Sequence, residues 1–216
     1  FFVEKKEMFM KTLGELMKQS KYLQNDPIHG MIAKEEMACE VVLERLKPIS
    51  KENGGTLIIQ KIEFVQGRPN LIVIFPSSSS TSTSPSTSPT TTTEKQMEIK
   101  RVIEEGRGEK KKKIRACISF SGAHFDVVPA GDGDENKRWK YEPFSMTYEE
   151  KEGKLIGRGV SDCLGHVALL TEFLFGLGTS RPALSRDIIG VFIADEEVGS
   201  GEVGVEKMQE AGHLEI

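Results

Sequence analysis

The side chains with the means to do chemistry together stand at the ends of apolar runs. In SFSGAHFDVVPA, residues 119–130, His124 and Asp126 lie two positions apart. On a strand that spacing puts both on one face, with Phe125 opposite. Asp162 stands in GRGVSDCLGH, just ahead of an apolar run, and Asp195, Glu196 and Glu197 follow the apolar IIGVFIA. One imidazole with several carboxylates is a donor set for a divalent cation of the zinc or cobalt kind. Such a cation lowers the pKa of a bound water, and a carboxylate left off the metal can take the proton, which is the division of labour a hydrolytic site needs. Adjacent glutamates at a strand–loop junction suit it, because neighbouring side chains there are aimed differently.

Each piece alone has a plainer reading. An HxD pair arises often by chance. An acid ahead of a helix can be no more than its cap, which applies to Asp162 and to the Asp195–Glu197 run alike. The glycines of GRGVSDCLGH can serve tight turns alone. The shared placement carries the weight: α/β sheets keep their sites at the carboxyl ends of strands.

The elements that must position these residues are legible in outline. Residues 3–23 carry Phe9, Leu13, Leu16 and Met17 at helical spacing, and residues 33–47 carry Met37, Cys39, Val42 and Leu46 likewise. TLIIQKIEF and NLIVIF read as strands joined through VQGRP. PSSSSTSTSPSTSPTTTTEK then interrupts the pattern and, with GRGEKKKK, makes residues 77–113 a low-complexity Ser/Thr- and Lys-rich insertion, expected to be disordered. It separates NLIVIF from IRACISF, and the two remain candidate neighbours because loop closure depends only weakly on length. Further on come a strand over 115–121, a loop with Trp139, and a helix over SDCLGHVALLTEFLFGL with apolar Val167, Leu170 and Leu174 and polar Thr171 and Glu172. IIGVFIA is a strand, and a short helix starts near residue 201. Uninterrupted apolar strands among helices predict an α/β fold, with a mixed or parallel sheet flanked by helices on both faces.

The chain has 216 residues, 38% hydrophobic and 29% charged, with a net charge of -4. That composition suits a soluble domain with a real core, and the acidic balance argues against nucleic-acid binding. No stretch has the length of a membrane span. No GxGxxG or GxxxxGK[ST] segment follows a strand, which counts against a nucleotide-binding domain. Cys39, Cys117 and Cys163 are widely spaced with no CxxC, and FFVEKKEMFMK lacks the parts of a signal peptide; a cytoplasmic location is the expectation. The first residue is Phe and the last segment is AGHLEI, which reads as a fragment.

SGAHFDVVPAG, LIGRGVSDCLGHVALL and IADEEVGSGEVG resemble, in order, the three signature segments of the M20 metallopeptidases, with the acetylornithine deacetylase branch nearest. RWKYEPFSMTYEEKEGKLIGRG resembles the passage that joins the first two. The resemblance is strong over roughly residues 115–210. It implies a zinc-peptidase-like catalytic domain, here incomplete over 1–216, without the family's lid and dimerisation domain.

The same resemblance implies roles. His124 would ligate one of two zinc or cobalt ions, Asp162 would bridge both, and Glu197 would bind the second. Asp126 would orient His124, and Glu196 would be the general base and then the acid. The activity implied is metal-dependent removal of the acyl group from an N-acyl amino acid. The motifs leave open a carboxypeptidase or dipeptidase acting on short peptides, and a truncated, non-catalytic relative that binds partners. The retained Glu196 favours catalytic ancestry. Leu164 stands where the family commonly has lysine, His166 is expected to be an ordinary helix residue, and the two remaining ligands of the family would lie past Ile216, so that His213 takes neither role. This chain alone is therefore expected to be inactive, and the parent to be a homodimer through the missing lid.

Overall fold

The computed structural model describes residues 2–78, 116–118, 123–131 and 139–214. Helix α1 (Phe2–Gln19) buries Leu13, Leu16 and Met17, and α2 (Glu36–Leu46) buries Ala38, Cys39, Val42, Leu43 and Leu46, the faces that their spacing marks. Helix α2 passes at Lys47 into a single 3-10 turn, Lys47–Ile49, where Pro48 has no amide hydrogen with which to continue the α-helical bonds.

Strands β1 (Ile58–Glu63) and β2 (Pro69–Phe75) form an antiparallel hairpin. Two further strands complete that sheet: β3 (Ala116–Ile118) and β6 (Ile188–Phe192). The order is β1-β2-β6-β3, with β6 antiparallel to β2 and parallel to β3, so the sheet is mixed. The structure thus corrects one expectation: β2 and β3 are not neighbours, because β6 lies between them. Ile189, Gly190, Val191 and Phe192 are all buried, and a strand apolar on both faces takes an interior place.

Helix α3 (Leu164–Ser180) packs against β6 where Gly190 leaves room; a Cβ there would stand 2.8 Å from Leu174 Cδ1. Leu71, Val73, Phe75 and Phe192 join α1, α2 and α3 in one apolar cluster. On the other face Ile62, Ile72, Ile189, Val191 and Ile193 meet Met208 of the short helix α4 (Val205–Glu210). Helices therefore cover both faces.

Three details depart from the sequence reading. Part of the expected loop after Trp139 is a second, two-stranded sheet, β4 (Thr147–Glu149) with β5 (Lys154–Ile156). On α3 the polar Thr171 and Glu172 are buried, whereas Leu169 and Phe173 are 53% and 44% exposed. Glu172 is buried because it accepts hydrogen bonds from Thr12 Oγ1 at 2.6 Å and from Arg45 Nε and Nη2, each at 2.8 Å, tying α1, α2 and α3 together. Finally, the first two residues of the 77–113 tract are anchored: Ser77 N donates to Asp187 Oδ1 at 2.6 Å and Ser78 N to Leu184 O at 3.0 Å. The expectation of disorder over 79–113 lies outside the described residues. Among those described, no helix is long and apolar enough to cross a membrane.

Candidate metal centre

Beyond β3 the chain rejoins β6 at its carboxyl end. Phe125 N donates to Ile193 O at 2.9 Å and Ile193 N to Ala123 O at 3.0 Å. His124 and Asp126 share a side, but not as on a pleated strand. The backbone curls, so that His124 Nδ1 lies 2.9 Å from the Asp126 carbonyl and 3.3 Å from its carboxylate. Phe125 points the other way and stacks on Phe192, with centroids 5.8 Å apart.

His124 is 1% exposed, and with Nδ1 engaged its Nε2 faces outward to Asp162 Oδ1 at 3.0 Å and Glu196 Oε2 at 3.6 Å. An Nδ1 donor bond of this kind fixes the tautomer of a metal-ligating histidine. Burial works against charge on this ring, but the Asp126 hydrogen bond and then Cys163 outweigh it and push its pKa up to about 12.

Asp162 reaches this point from the start of α3. It is no cap: the N-cap position is Cys163, which makes no side-chain capping bond. Its side chain is 76% exposed and turned to His124. Behind it the buried Cys163 fastens the two segments, accepting from His124 N at 3.0 Å and donating to His124 O at 3.4 Å. Gly165 is required for this entry into the helix, as a Cβ there would lie 2.1 Å from the Val160 carbonyl oxygen.

Glu196 and Glu197 come from the turn after β6. Asp195 has φ 61, a left-handed conformation that aspartate tolerates better than most side chains, and it redirects the chain there. The Asp126 carboxylate then accepts from both following amides, Glu196 N on Oδ1 and Glu197 N on Oδ2, each at 3.1 Å. Asp126 therefore holds His124 with one set of contacts and the glutamate turn with another. Neither glutamate caps α4, whose N-cap is Gly204. Burial, together with Asp162, Asp126 and Glu196, raises the Glu197 carboxyl above its ordinary value, against the pull of His124.

All five sequence-predicted site residues are thus brought together. His124, Glu196 and Glu197 offer ligand atoms within 4.8 Å of one another, as do His124, Asp162 and Cys163. The carboxylates fit a divalent cation. The Cys163 thiol does not, because burial raises its pKa and its sulfur is engaged on the His124 backbone. His166 is exposed on α3, and His213 rests against Phe64 with ring centroids 6.0 Å apart, so neither joins the cluster.

Sequence reasoning missed a layer of buried polar residues beneath the site. Asn25 Nδ2 donates to Asp126 Oδ2 and to Asp195 Oδ1, each at 2.8 Å. Arg68 forks onto the fully buried Glu35, with Nε 2.9 Å from Oε2, and its Nη2 reaches Asp195 Oδ1 at 3.1 Å. Ser200 adds its amide and hydroxyl to Asp195 Oδ2. Burial works against the Asp195 charge, but Ser200, Asn25 and Arg68 leave its carboxyl below the usual range. Asn70 accepts from Ala194 N at 3.0 Å and donates to Val203 O at 2.8 Å, bracing the same turn. The one sequence signal for this layer is an asparagine opening an otherwise apolar strand, NLIVIF.

Known proteins resemble this chain in sequence and in fold. The model of peptidase family M20/M25/M40 matches residues 120–215. Acetylornithine deacetylase of Arabidopsis thaliana is 36% identical over 196 residues, 90% of this chain and 35% of that protein. Acetylornithine deacetylase of Dictyostelium discoideum is 33% identical over 211 residues, 95% of this chain and 39% of that one. The chain therefore spans well under half the length of these relatives. Human carnosine dipeptidase 1 matches with a TM-score of 0.56 at 17% identity, over 97% of this chain and 36% of that one. The di-peptidase Dug1p from Saccharomyces cerevisiae matches with a TM-score of 0.55 at 15% identity, over 91% of this chain and 34% of that one. At such identities the likeness is one of fold. The family match and the histidine–carboxylate cluster fall on the same residues, and over 120–215 the chain carries part of a domain of peptidase family M20/M25/M40, with sequence relatives among the acetylornithine deacetylases.

Proposed function

We propose that this chain carries part of a metal-dependent amidohydrolase that removes the acyl group from an N-acyl amino acid, as the name of its acetylornithine deacetylase relatives suggests. The supporting observation is Glu196: 41% exposed, with Oε2 3.6 Å from His124 Nε2, on a turn whose amides are fixed by Asp126. Two divalent ions, zinc or cobalt, held by His124, Asp162 and Glu197, would supply the Lewis acid and a bound water of lowered pKa.

The chain's own residues do the rest. Asp126 keeps Nδ1 of His124 engaged, so Nε2 would be the ligating nitrogen. Asp162, exposed beside it, and Glu197 would be the carboxylates that hold the ions. Glu196 takes a proton from the attacking water, whose oxygen bonds to the acyl carbon. As the C–N bond breaks, Glu196 returns that proton to the leaving amine, and the products are a carboxylate and a free amino acid. The small-molecule substrate, a homodimeric parent and the cytoplasmic location belong to the same proposal.

The test is amide hydrolysis by the full-length protein, loaded with zinc or cobalt, across N-acetylornithine, other N-acyl amino acids and dipeptides. Turnover of the N-acyl amino acids that a chelator abolishes is expected, and Glu196→Ala should remove it while the metal stays bound. Turnover confined to dipeptides would overturn the deacylase reading, and turnover surviving Glu196→Ala would overturn the role given to that residue.

A further inference from the structure

Asn25 is 3% exposed and lies far from the motifs in sequence, in the turn that follows α1. Its amide nitrogen spends one hydrogen on Asp126 and the other on Asp195, at 2.8 Å each. Its own Oδ1 is buried without a hydrogen-bond partner. A buried unsatisfied acceptor is costly. Turning the amide over would relieve nothing, because Oδ1 would then face two carboxylates. The residue is therefore held as a double donor, at the expense of its acceptor.

The two carboxylates it joins have different tasks. Asp126 receives the amides of Glu196 and Glu197 and engages His124; Asp195 is the left-handed residue that starts their turn and is itself tied to Arg68 and Ser200. Asn25 is thus the contact between the histidine side of the centre and the root of the glutamate turn. A neutral donor suits that place. A lysine would pair with Asp126 and weaken its pull on His124, whereas an apolar residue would leave two carboxylates facing each other.

We propose that Asn25 is a positioning residue for the metal centre: its amide sets the spacing between Asp126 and Asp195, and through them the aim of Glu196 and Glu197. The inference rests on the roles given above to those glutamates, yet it is read first in metal binding, which needs no turnover. In the full-length protein, Asn25→Leu keeps the volume and removes both donors, and Asn25→Ala serves if the first variant does not fold. Loss of an outer partner of this kind costs about 10–100-fold in metal affinity. Zinc affinity, measured by competition with a chromophoric chelator, should fall by that factor, and the visible spectrum of the cobalt-loaded variant should shift. Where turnover is present, kcat should fall with KM little changed. Thr12→Val, at the remote Glu172 cluster, is the control and should leave all three readouts unchanged. Zinc affinity and cobalt spectrum equal to wild type in a folded Asn25 variant would overturn the proposal, as would an equal loss in the control. If Glu196→Ala keeps turnover, the reaction assignment fails by itself, and the affinity result still decides the role of Asn25.

Discussion

Arg68 and Arg45 each fork onto a buried glutamate, Glu35 and Glu172, and the two places differ in what else holds them. Arg68 joins loops: Glu35 just ahead of α2, Asp195 at the end of β6, and through Asp195 the Asn25 turn. Arg45 joins helices, with Thr12 from α1 and Glu172 from α3. The side chains of Arg68 and Glu35 are 9% and 0% exposed, those of Arg45 and Glu172 22% and 9%. The helices are already placed by Leu13, Leu16, Leu43, Leu46, Leu170 and Leu174, so their polar cluster adds to a position fixed by apolar burial. The loops under the metal centre are joined by isolated bridges, Gln24 with Val127 and His124 with Ile193, rather than by a strand ladder, although Leu23, Phe125 and Val127 are buried in the same apolar cluster. There the polar network ties together segments that no ladder holds in register, and the centre inherits its geometry from both.

The largest effect expected from this contrast is that of Glu35→Ala. It leaves the Arg68 guanidinium buried with only Asp195 beside it, a loss of about 3–5 kcal/mol for a broken buried pair. Urea unfolding should show that loss, accompanied by weaker zinc binding. Glu172→Ala comes next. Arg45 is already partly in solvent and can relax outward, so about 1–3 kcal/mol is expected for the group left unsatisfied, with zinc affinity unchanged. A larger loss at Glu172 than at Glu35, or zinc weakened by the Glu172 variant, would break the comparison. Thr12→Val is smaller again, about 1 kcal/mol, because Glu172 keeps both Arg45 donors.

The same contrast shows what the sequence could reveal. His124, Asp126, Asp162, Glu196 and Glu197 were legible because each closes or opens an apolar run, and a sheet with parallel strands gathers such ends on one side. Helices α1, α2 and α3 were legible from their apolar spacing. Asn25, Glu35 and Arg68 were not: they sit in turns without periodicity, and Asn25 meets its partners 101 and 170 residues away. Pattern reading fails for a single polar residue whose meaning comes from a distant loop. The strand order was hidden for a related reason, since β6 enters between strands that precede it in the chain. The burial of Glu172 followed from Arg45 and Thr12, two residues on other helices, so α3 taken alone suggested no reason for it.

The smallest expected effect is also the one that separates the two arginines most sharply, because it concerns sign. Burial raises the Glu172 carboxyl, but Arg45 and then Thr12 outweigh it and leave its pKa below the ordinary 4.5. A depressed folded value means stability that is present above the unfolded pKa and lost as pH falls through the folded one. At Glu35 burial prevails over Arg68, and the carboxyl lies above 4.5. A raised folded value means a contribution fully present below the unfolded pKa and lost as pH rises through the folded one. Glutamine titrates in neither state, so Glu35→Gln and Glu172→Gln isolate these terms. Between about pH 7 and about pH 4, the stability cost of Glu172→Gln should shrink, while that of Glu35→Gln should grow. Urea midpoints of wild type and both variants at the two pH values read this directly. Parallel slopes would mean that both arginines stabilise a charged glutamate in the same way. The deeper burial beneath the metal centre would then have no separate electrostatic consequence, and the contrast between loops and helices would rest on packing alone.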